Sequence, residues 1–577
     1  MTNYTFDQLL DFTRTTSGTF VGSNGLIQNT PASVNLFTQT QQFDNAAWTK
    51  ARTTITANST VAPDGTSTAD KLVEDTTASS THFTSQSANY TAGTTYTLSV
   101  SVKAAERSWF DIQLPAALMG TIRNAFFDVS NGTVGTVTSG VTAAIVSTGN
   151  GWYRCSVTFT ATASAGTGSA FLLANADNSI SYTGDGTSGL FLWGAQLEVG
   201  STATTYTRNN GGRFPPRFDY DPVTLQPKGI LIEEQRVNLL LRSEEFDVSW
   251  TGFVATVSSN AAVSPDGTTD ADKIIPDNAA SLGSSGVTQT VTAAAATYTY
   301  SVYAKIGEYN RVRLLVRDSA SAANNASVIV SLVDGTITTA AAAAGTFTGA
   351  SATVIAAKNG FYRVSLTFTS TGASSVLVRA FVADSVATTG DGTSGIFLWG
   401  AQLETATFAT SYIPTVASQV TRAADVCTIT APMFAPWYNQ SEGTFVVEAD
   451  SVVGNLAVVN VPASVTDGTN NNIMRTYLFS AARGLSVTTG GVGQVDLNVA
   501  GHTSNAISKW GFVYRTNDFA LSVNGAAVLT DTAGTVPTVD RLGVGMLNNI
   551  NQINGHIRSI QYYPVRLADF QLQALSA

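Results

Sequence analysis

One long pattern occurs twice in this chain, and that repeat limits the possible folds more than any other feature. The stretch 35–209 returns at 238–415, landmark by landmark. NLFTQTQQFDNAAWTK answers to NLLLRSEEFDVSWTGF, APDGTSTADKLVED to SPDGTTDADKIIPD, and GNGWYRCSVTFTAT to KNGFYRVSLTFTST. Both copies close on TGDGTSG(L/I)FLWGAQLE, so that Trp48 corresponds to Trp250 and Trp193 to Trp399. A repeat of this length is a whole domain, unlike the short unit of a solenoid. Two copies of one module point to multivalent binding or a structural array before they point to one unique active site.

The strands are legible as alternation. In YTLSVSVK (96–103), Tyr96, Leu98, Val100 and Val102 share one face, and Tyr298, Tyr300, Val302 and Ala304 share the matching face of the second copy. In WYRCSVTF, Tyr153, Cys155, Val157 and Phe159 alternate with Trp152, Arg154, Ser156 and Thr158; Tyr362, Val364, Leu366 and Phe368 repeat this. Such period-2 patterning marks half-buried antiparallel strands, and Asp-Gly and Asn-Gly pairs punctuate it at hairpin spacing. The expected fold is all-β, with three jelly-roll-like β-sandwiches in tandem, the first two duplicated, and little helix. Short helices are expected only at 6–14 and 568–575.

The boundaries follow from the repeat. Residues 1–34 form an N-terminal docking segment and 35–209 the first sandwich. Residues 210–237, with four prolines, read as an extended connector. The second sandwich is 238–415, and 416–577 form a third with a different pattern. The 577 residues suit roughly three to five domains of about 100–200 residues. Charged residues are only 12%, and the net charge is −10, which disfavours a nucleic-acid partner. No apolar run is long enough to insert in a membrane, and the start, MTNYTFDQLLDFTR, has no signal-peptide core. Cys155 and Cys427 fall in different domains and read as free thiols.

Enzyme chemistry finds little material. His82, His502 and His556 are the only histidines, none in a metal-ligand spacing, and no nucleotide fingerprint is present. Glu233-Glu234 and Glu244-Glu245 are adjacent pairs, which on strands face opposite ways and read as solvated charge. The expectation is a binding protein, not an enzyme. If Tyr153 and Tyr362 face the core, Trp152 with Arg154, and Phe361 with Arg363, share the opposite face. An aromatic beside an arginine can form a sugar-stacking platform, a subunit contact, or a surface covered by a loop. In the closing motif, Gly-Asp-Gly reads as a tight turn with Phe191, Trp193 and Leu197 packing inward.

The connector RFDYDPVTLQPKGILIEEQRVNLLLRSEEFD resembles a segment of tail, fibre and head-appendage proteins of tailed bacteriophages. In those proteins an FTRxxxGT(F/Y)VxxxGLI element precedes it, found here at 12–27, and a sandwich resembling carbohydrate-binding modules follows. Here a whole extra sandwich stands between the two, which leaves open whether 1–34 and 210–237 pack together. The last unit resembles a concanavalin-like or laminin-G-type sandwich, and its IRSIQYYPVRLADFQLQAL ending is common in phage structural proteins. The resemblance implies a virion-surface appendage that attaches to host surface polysaccharide and contacts other virion proteins, with a homotrimer as the implied assembly. The alternatives it carries are a head fibre or decoration protein with a purely structural role, and a polysaccharide depolymerase. Jelly-roll carbohydrate modules often hold structural calcium. That implication falls on Asp70, Asp185, Asp272 and Asp391, since carboxylate oxygens suit this ion.

Overall fold

The computed structural model describes residues 10–30, 35–209, 211, 214–372, 375–430, 433–451, 459–479 and 482–577. These form antiparallel sheets throughout, with two short α-helices, Ala116–Met119 and Asp569–Leu575. The expected C-terminal helix is present. Of the expected 6–14 helix, residues 6–9 lie outside the described residues, and Asp11–Thr13 is a strand. The chain divides into two compact units. One holds 31–215 with 1–15 and 428–436; the other holds 16–30, 216–427 and 437–577.

The first unit contains one sandwich of two six-stranded sheets. One sheet runs Thr133–Val137, Arg123–Asp128, Trp109–Leu114, Ala165–Ala174, His82–Tyr90, Thr49–Ala51. The other runs Val141–Gly149, Trp152–Thr160, Thr95–Ala104, Gly189–Val199, Ala69–Glu74, Thr53–Thr60. Leu98, Val100, Val157, Phe110, Ile112 and Phe171 meet between them, and Phe43 and Trp48 close one end with rings 4.7 Å apart. The second sandwich, in the other unit, repeats this strand order, with Ile337–Ala344, Asn325–Ser331, Arg311–Asp318, Ser375–Ala383, Ser285–Thr292 and Thr251–Phe253 in its first sheet. Its core is built likewise from Tyr300, Val302, Leu314, Val364 and Val378, with Phe246 and Trp250 at one end. Each of these buried side chains contributes about 1.5–3 kcal/mol relative to exposure.

Two local devices recur in both copies. The first strand of each sandwich switches sheets at a single residue, Arg52 (φ 55°) or Val254 (φ 51°). A β-branched residue in this left-handed region is strained, and a backbone bond from Asp277 N to Val254 O (3.1 Å) holds the bend, as Asp75 N to Arg52 O (3.0 Å) does in the first copy. The second device is a bulge within FLWGAQLE. Gly194 and Gly400 take φ of 65° and 62°, and the ladder register slips there. Leu190, Leu192, Ala195 and Leu197 therefore all reach the core, while Phe191 and Trp193 are turned to the outer side of the sheet. Strict alternation puts Phe191, Trp193 and Leu197 together inward; the bulge separates them.

The stretch 210–237 is not a linker. Arg217–Tyr220 and Pro227–Ile232 are strands of a seven-stranded sheet that continues through Gly555–Tyr563, Glu442–Ala449, Ser508–Arg515, Phe519–Val523 and Leu529–Asp531. The third sandwich is thus built partly from chain that precedes the second. Its other sheet includes Arg541–Val544, Ala463–Thr466, Ile473–Phe479, Ala482–Thr489 and Val492–Ala500. The N-terminal hairpin Thr19–Val21 and Ile27–Asn29 joins the same unit: Val21 N donates to Asp219 Oδ1 (2.6 Å), and Arg217 Nη1 donates to Thr19 O (3.0 Å). The described part of 1–34 beyond Thr15 is therefore integrated into the fold of this unit, while residues 1–9 and 31–34 lie outside the described residues.

Candidate functional site

Trp152 and Phe361 do stand on the outer side of their strands, and both are covered, each 1% exposed. After the last strand of each sandwich the chain folds back across this face. Trp152 packs with Ala62, Ala69 and Trp193 beneath Tyr206, and its Nε1 donates to Val61 O (3.0 Å). Phe361 packs with Ala271, Tyr303, Trp399 and Tyr412. Arg154 and Arg363 fasten the returning tail: Arg154 donates to Thr204 O and to Ser99 Oγ (2.9 Å), and Arg363 to Thr410 O (2.6 Å) and Ser301 Oγ (3.0 Å). Of the three arrangements open to these pairs, the structure has the loop-covered one, and no ring face is left for a sugar to stack on.

The four aspartates are committed to backbone and hydroxyl donors. Asp185 accepts from Ser188 Oγ (2.5 Å), Ser188 N (2.7 Å) and Thr187 N (2.8 Å), and Asp391 from Ser394 Oγ (2.6 Å), Ser394 N (2.6 Å) and Thr393 N (2.9 Å); the serine hydroxyls first, then the backbone donors, hold both carboxyls well below the usual range. Asp70 receives Phe43 N (2.8 Å) and Asn58 N (2.9 Å); Asp272 receives Phe246 N (2.7 Å) and Asn260 N (2.9 Å). Burial nevertheless raises both of the latter to about 6. Oxygens ringed by N–H donors are turned away from a cation, and among the described residues no three His, Cys, Asp or Glu side chains form a group that could hold a metal ion. These aspartates do not fit the calcium role.

In each acidic pair the first glutamate is withdrawn from solvent, while Glu234 and Glu245 stay partly exposed. Glu233 is buried between Arg217 (2.7 Å) and Arg422, and Arg217 reaches Asp425 as well. Glu244 hydrogen-bonds Tyr412 Oη (2.9 Å), and burial raises it to about 7. Nearby, His556 places Nδ1 2.7 Å from Asp450 Oδ1 and Nε2 2.9 Å from Asp219 Oδ2 beside a cleft of about 480 Å³. Both ring nitrogens are engaged, so this trio ties the 217–220 strand to the rest of its own sheet and leaves no free nitrogen to take a substrate proton.

A different surface, half-buried and rich in arginine, lies on the other sheet of the second sandwich. In RVRLLVRD, Val312, Leu314 and Val316 enter the core, so Arg311, Arg313, Leu315 and Arg317 point outward. In SVLVRAFVA, Val376, Val378, Ala380 and Val382 enter the core, and Leu377, Arg379 and Phe381 point outward. Register sets Arg313 opposite Phe381, Leu315 opposite Arg379, and Arg379 opposite Thr288. Gly286 lies opposite both Phe381 and Phe253. Lacking a side chain, it lets the two rings approach to 6.0 Å across the sheet. The Arg379 guanidinium sits 5.0 Å from the Phe253 centroid and 5.5 Å from that of Phe381.

These polar groups are short of partners. Among the described residues, Arg311, Arg313, Arg317 and Arg379 form no ion pair; the acid whose charge interacts with Arg311 is Asp384, just beyond the strand end. Arg379 is only 8% exposed, and its Nε, the Nε of Arg317 and Thr288 Oγ1 are buried without hydrogen bonds. Arg313 donates to Gly283 O (2.9 Å). Burial lowers the pKa of Arg313, and burial followed by the Arg317 charge lowers that of Arg379. Beside this strip opens a recess of about 430 Å³ lined by Ser249, Thr251, Thr288, Thr290, Thr292 and Gln419. Reading strand by strand for buried faces passed over these residues. The signal was there in the outward positions of RVRLLVRD, where three of four are arginine.

No protein-family model matches the chain, and no curated protein matches it. Among solved structures it is similar to the CBM40 of a Ruminococcus gnavus IT-sialidase bound to α2,6-sialyllactose, with 16% identity and a TM-score of 0.22 over 26% of this chain and 89% of that one. It is similar to the CBM22-1–CBM22-2 tandem of Paenibacillus barcinonensis Xyn10C, at 12% identity and 0.22 over 65% and 98%. Mouse laminin α1 domains LG4-5 match at 10% and 0.18 over 50% and 86%. At such scores these likenesses carry no argument, and the site stands on its own residues.

Proposed function

We propose that this chain is a phage virion appendage that attaches to glycans of a bacterial surface, with the outer face of the second sandwich as the glycan-holding surface. The observation that carries this reading is the exposed ring of Phe253, with the guanidinium of Arg379 5.0 Å from its centroid, beside a hydroxyl-lined recess. Sugars present apolar C–H faces and rows of hydroxyls, which call for ring surface together with fixed donors and acceptors. The action is binding and not turnover, because arginine holds its protons at neutral pH and supplies neither general acid nor general base. The phage reading rests on the 12–27 element and the RFDYDP segment, which resemble those of appendage proteins and which pack together here through Asp219 and Arg217. Contacts to other virion proteins and a homotrimer belong to the same reading. Three copies of one face convert weak single-site affinity into avidity.

The test is binding of the tagged, folded chain to host cells before and after their surface polysaccharide is stripped. Binding that disappears with the polysaccharide supports attachment. Equal binding to stripped cells sinks the glycan reading, and no binding to either favours a structural role within the virion.

A further inference from the structure

The glycan reading leaves open what kind of sugar chain the face takes, and the charges on it narrow the choice. The strip carries Arg311, Arg313, Arg317 and Arg379 and no Asp or Glu among its outward-facing described residues, in a protein whose net charge is −10. An excess of cations on one face of an acidic protein is not background composition. Arg313 and Arg317 are four residues apart on one strand, about 13 Å, which exceeds one sugar ring. Arg379 lies on the neighbouring strand, opposite Leu315, which stands between Arg313 and Arg317. The charges thus form a two-dimensional array and not a point. Without a ligand they repel one another, and Arg317 and Arg379 each keep a buried Nε with nothing to donate to.

Resting on the glycan-binding reading above, we infer that the second sandwich selects acidic polysaccharides, chains that carry carboxylate or sulfate groups, and that the first sandwich takes no part in this selection. The planar guanidinium fork matches such oxyanions in pairs of hydrogen bonds. An anion over the strip relieves the repulsion and supplies the missing acceptors, while the Thr and Gln side chains of the recess meet the hydroxyls of the same chain. Duplex nucleic acid is the poorer occupant: with one charge per ~1.7 Å of its axis it is repelled by the rest of an acidic protein, whereas charges spaced by whole sugar rings fall on the strip alone.

The first sandwich differs at the same places. Lys71–Glu106 and Lys273–Glu308 are equivalent ion pairs (2.7 and 2.9 Å) and fix the alignment. Five residues past each glutamate stand Asp111 in the first copy and Arg313 in the second. Asp111 is fully buried, with Phe126 and Leu172 beside it in register and equally covered. The counterpart face is likewise covered at Phe381, Leu315 and Arg379, but it carries half-buried guanidiniums at Arg311, Arg313 and Arg317 where the first carries a buried carboxyl.

The experiment uses the full chain on immobilised alginate (carboxylate), dextran sulfate, neutral dextran and a short DNA duplex. The expected result is binding to at least one acidic polysaccharide, little to dextran, and loss of binding as ionic strength rises toward about 1 M, where the Debye length is about 3 Å. The double variant Arg313→Gln/Arg379→Gln should bind about tenfold more weakly or worse. Arg311→Gln/Arg317→Gln, which changes more exposed side chains, should act in the same direction and serves if the first pair disturbs folding. Asp111→Asn should leave binding unchanged.

Each contrary outcome has a distinct meaning. Equal binding to dextran and the acidic chains overturns the charge selection and leaves the glycan reading standing. DNA binding tighter than either acidic polysaccharide overturns the choice of occupant. Acid-selective binding that survives both double variants, or that Asp111→Asn removes, overturns the choice of face. Failure of the folded chain to bind any polysaccharide removes the glycan reading together with the inference.

Discussion

The two duplicated sandwiches agree in everything that makes the fold and disagree in what one of their sheets shows to the outside. Sheet order, the left-handed bend at Arg52 or Val254, the glycine bulge before Ala195 or Ala401, and the aromatic cluster under the returning tail recur almost residue for residue. On the Trp109–Leu114 strand and its counterpart Arg311–Asp318, by contrast, the outward residues change from Trp109, Asp111 and Gln113 to Arg311, Arg313 and Leu315. Core positions are held by close packing, where the loss of even a methylene is felt. Outward positions are free of that constraint, so a duplicated module can keep its framework and acquire different surface chemistry. Identity between repeats therefore reports shared folding, and the differences between them point to function.

The comparison can be broken at its framework first. Trp193→Ala and Trp399→Ala remove equivalent buried rings and should each cost about 3–5 kcal/mol, read from denaturant unfolding of the separate transitions. A large inequality would mean that the two frameworks are not energetically alike. It is sharpened next at Asp111, whose carboxyl burial pushes well above the usual range. A group that holds its proton longer when folded adds stability below its unfolded pKa of about 3.9 and loses it as pH rises through the folded value. Asp111→Asn should therefore match the parent in acid and exceed it near pH 8, by about 1–3 kcal/mol. A parent whose stability rises with pH across that window would contradict this.

A smaller effect separates folding from recognition. Arg379→Met keeps the length of the side chain but gives up the charge over Phe253 and Phe381, and should shift stability by less than about 1 kcal/mol. A drop of several kcal/mol in calorimetry would show that Arg379 holds the sheet together and is not held ready for a ligand. The smallest effects are expected at Asp185→Ala and Asp391→Ala. Both carboxylates sit in exposed turns that bond their own Thr and Ser neighbours, and each variant should lower its midpoint slightly and equally. Calcium added to the parent should leave both midpoints where they are.

Much of this was readable in the residues themselves. Alternation located the strands, the repeat located the modules, and the outward arginines of RVRLLVRD stood in plain view once faces were assigned. Four things were hidden, each for a physical reason. Period-2 reading cannot see a bulge, so FLWGAQLE gave the wrong partners to Trp193 and Leu197. Alternation tells which side of a sheet a residue takes but not what later lies over it; Tyr206 and Tyr412 arrive from outside the strand to bury Trp152 and Phe361. Prolines suggested a linker at 210–237, yet Pro227 is the first residue of its strand, a position where no ladder donor is lost. Glu233 looked solvated because its partners, Arg217 and Arg422, are distant in sequence.

The amide of Asn209 donates to Asn35 O (3.0 Å), so the chain enters and leaves the first sandwich at neighbouring points; in the other unit Thr19 and Arg217 likewise touch. Topologically the first sandwich is an insertion between two pieces of a single folded body. A graft of this kind closes a loop whose entropy cost grows only with the logarithm of its length. The sandwich can therefore be exchanged, lost or copied without rethreading the remainder. A lineage built this way can trade one surface for another, while the hairpin and the 217–232 strands keep their places in the second unit.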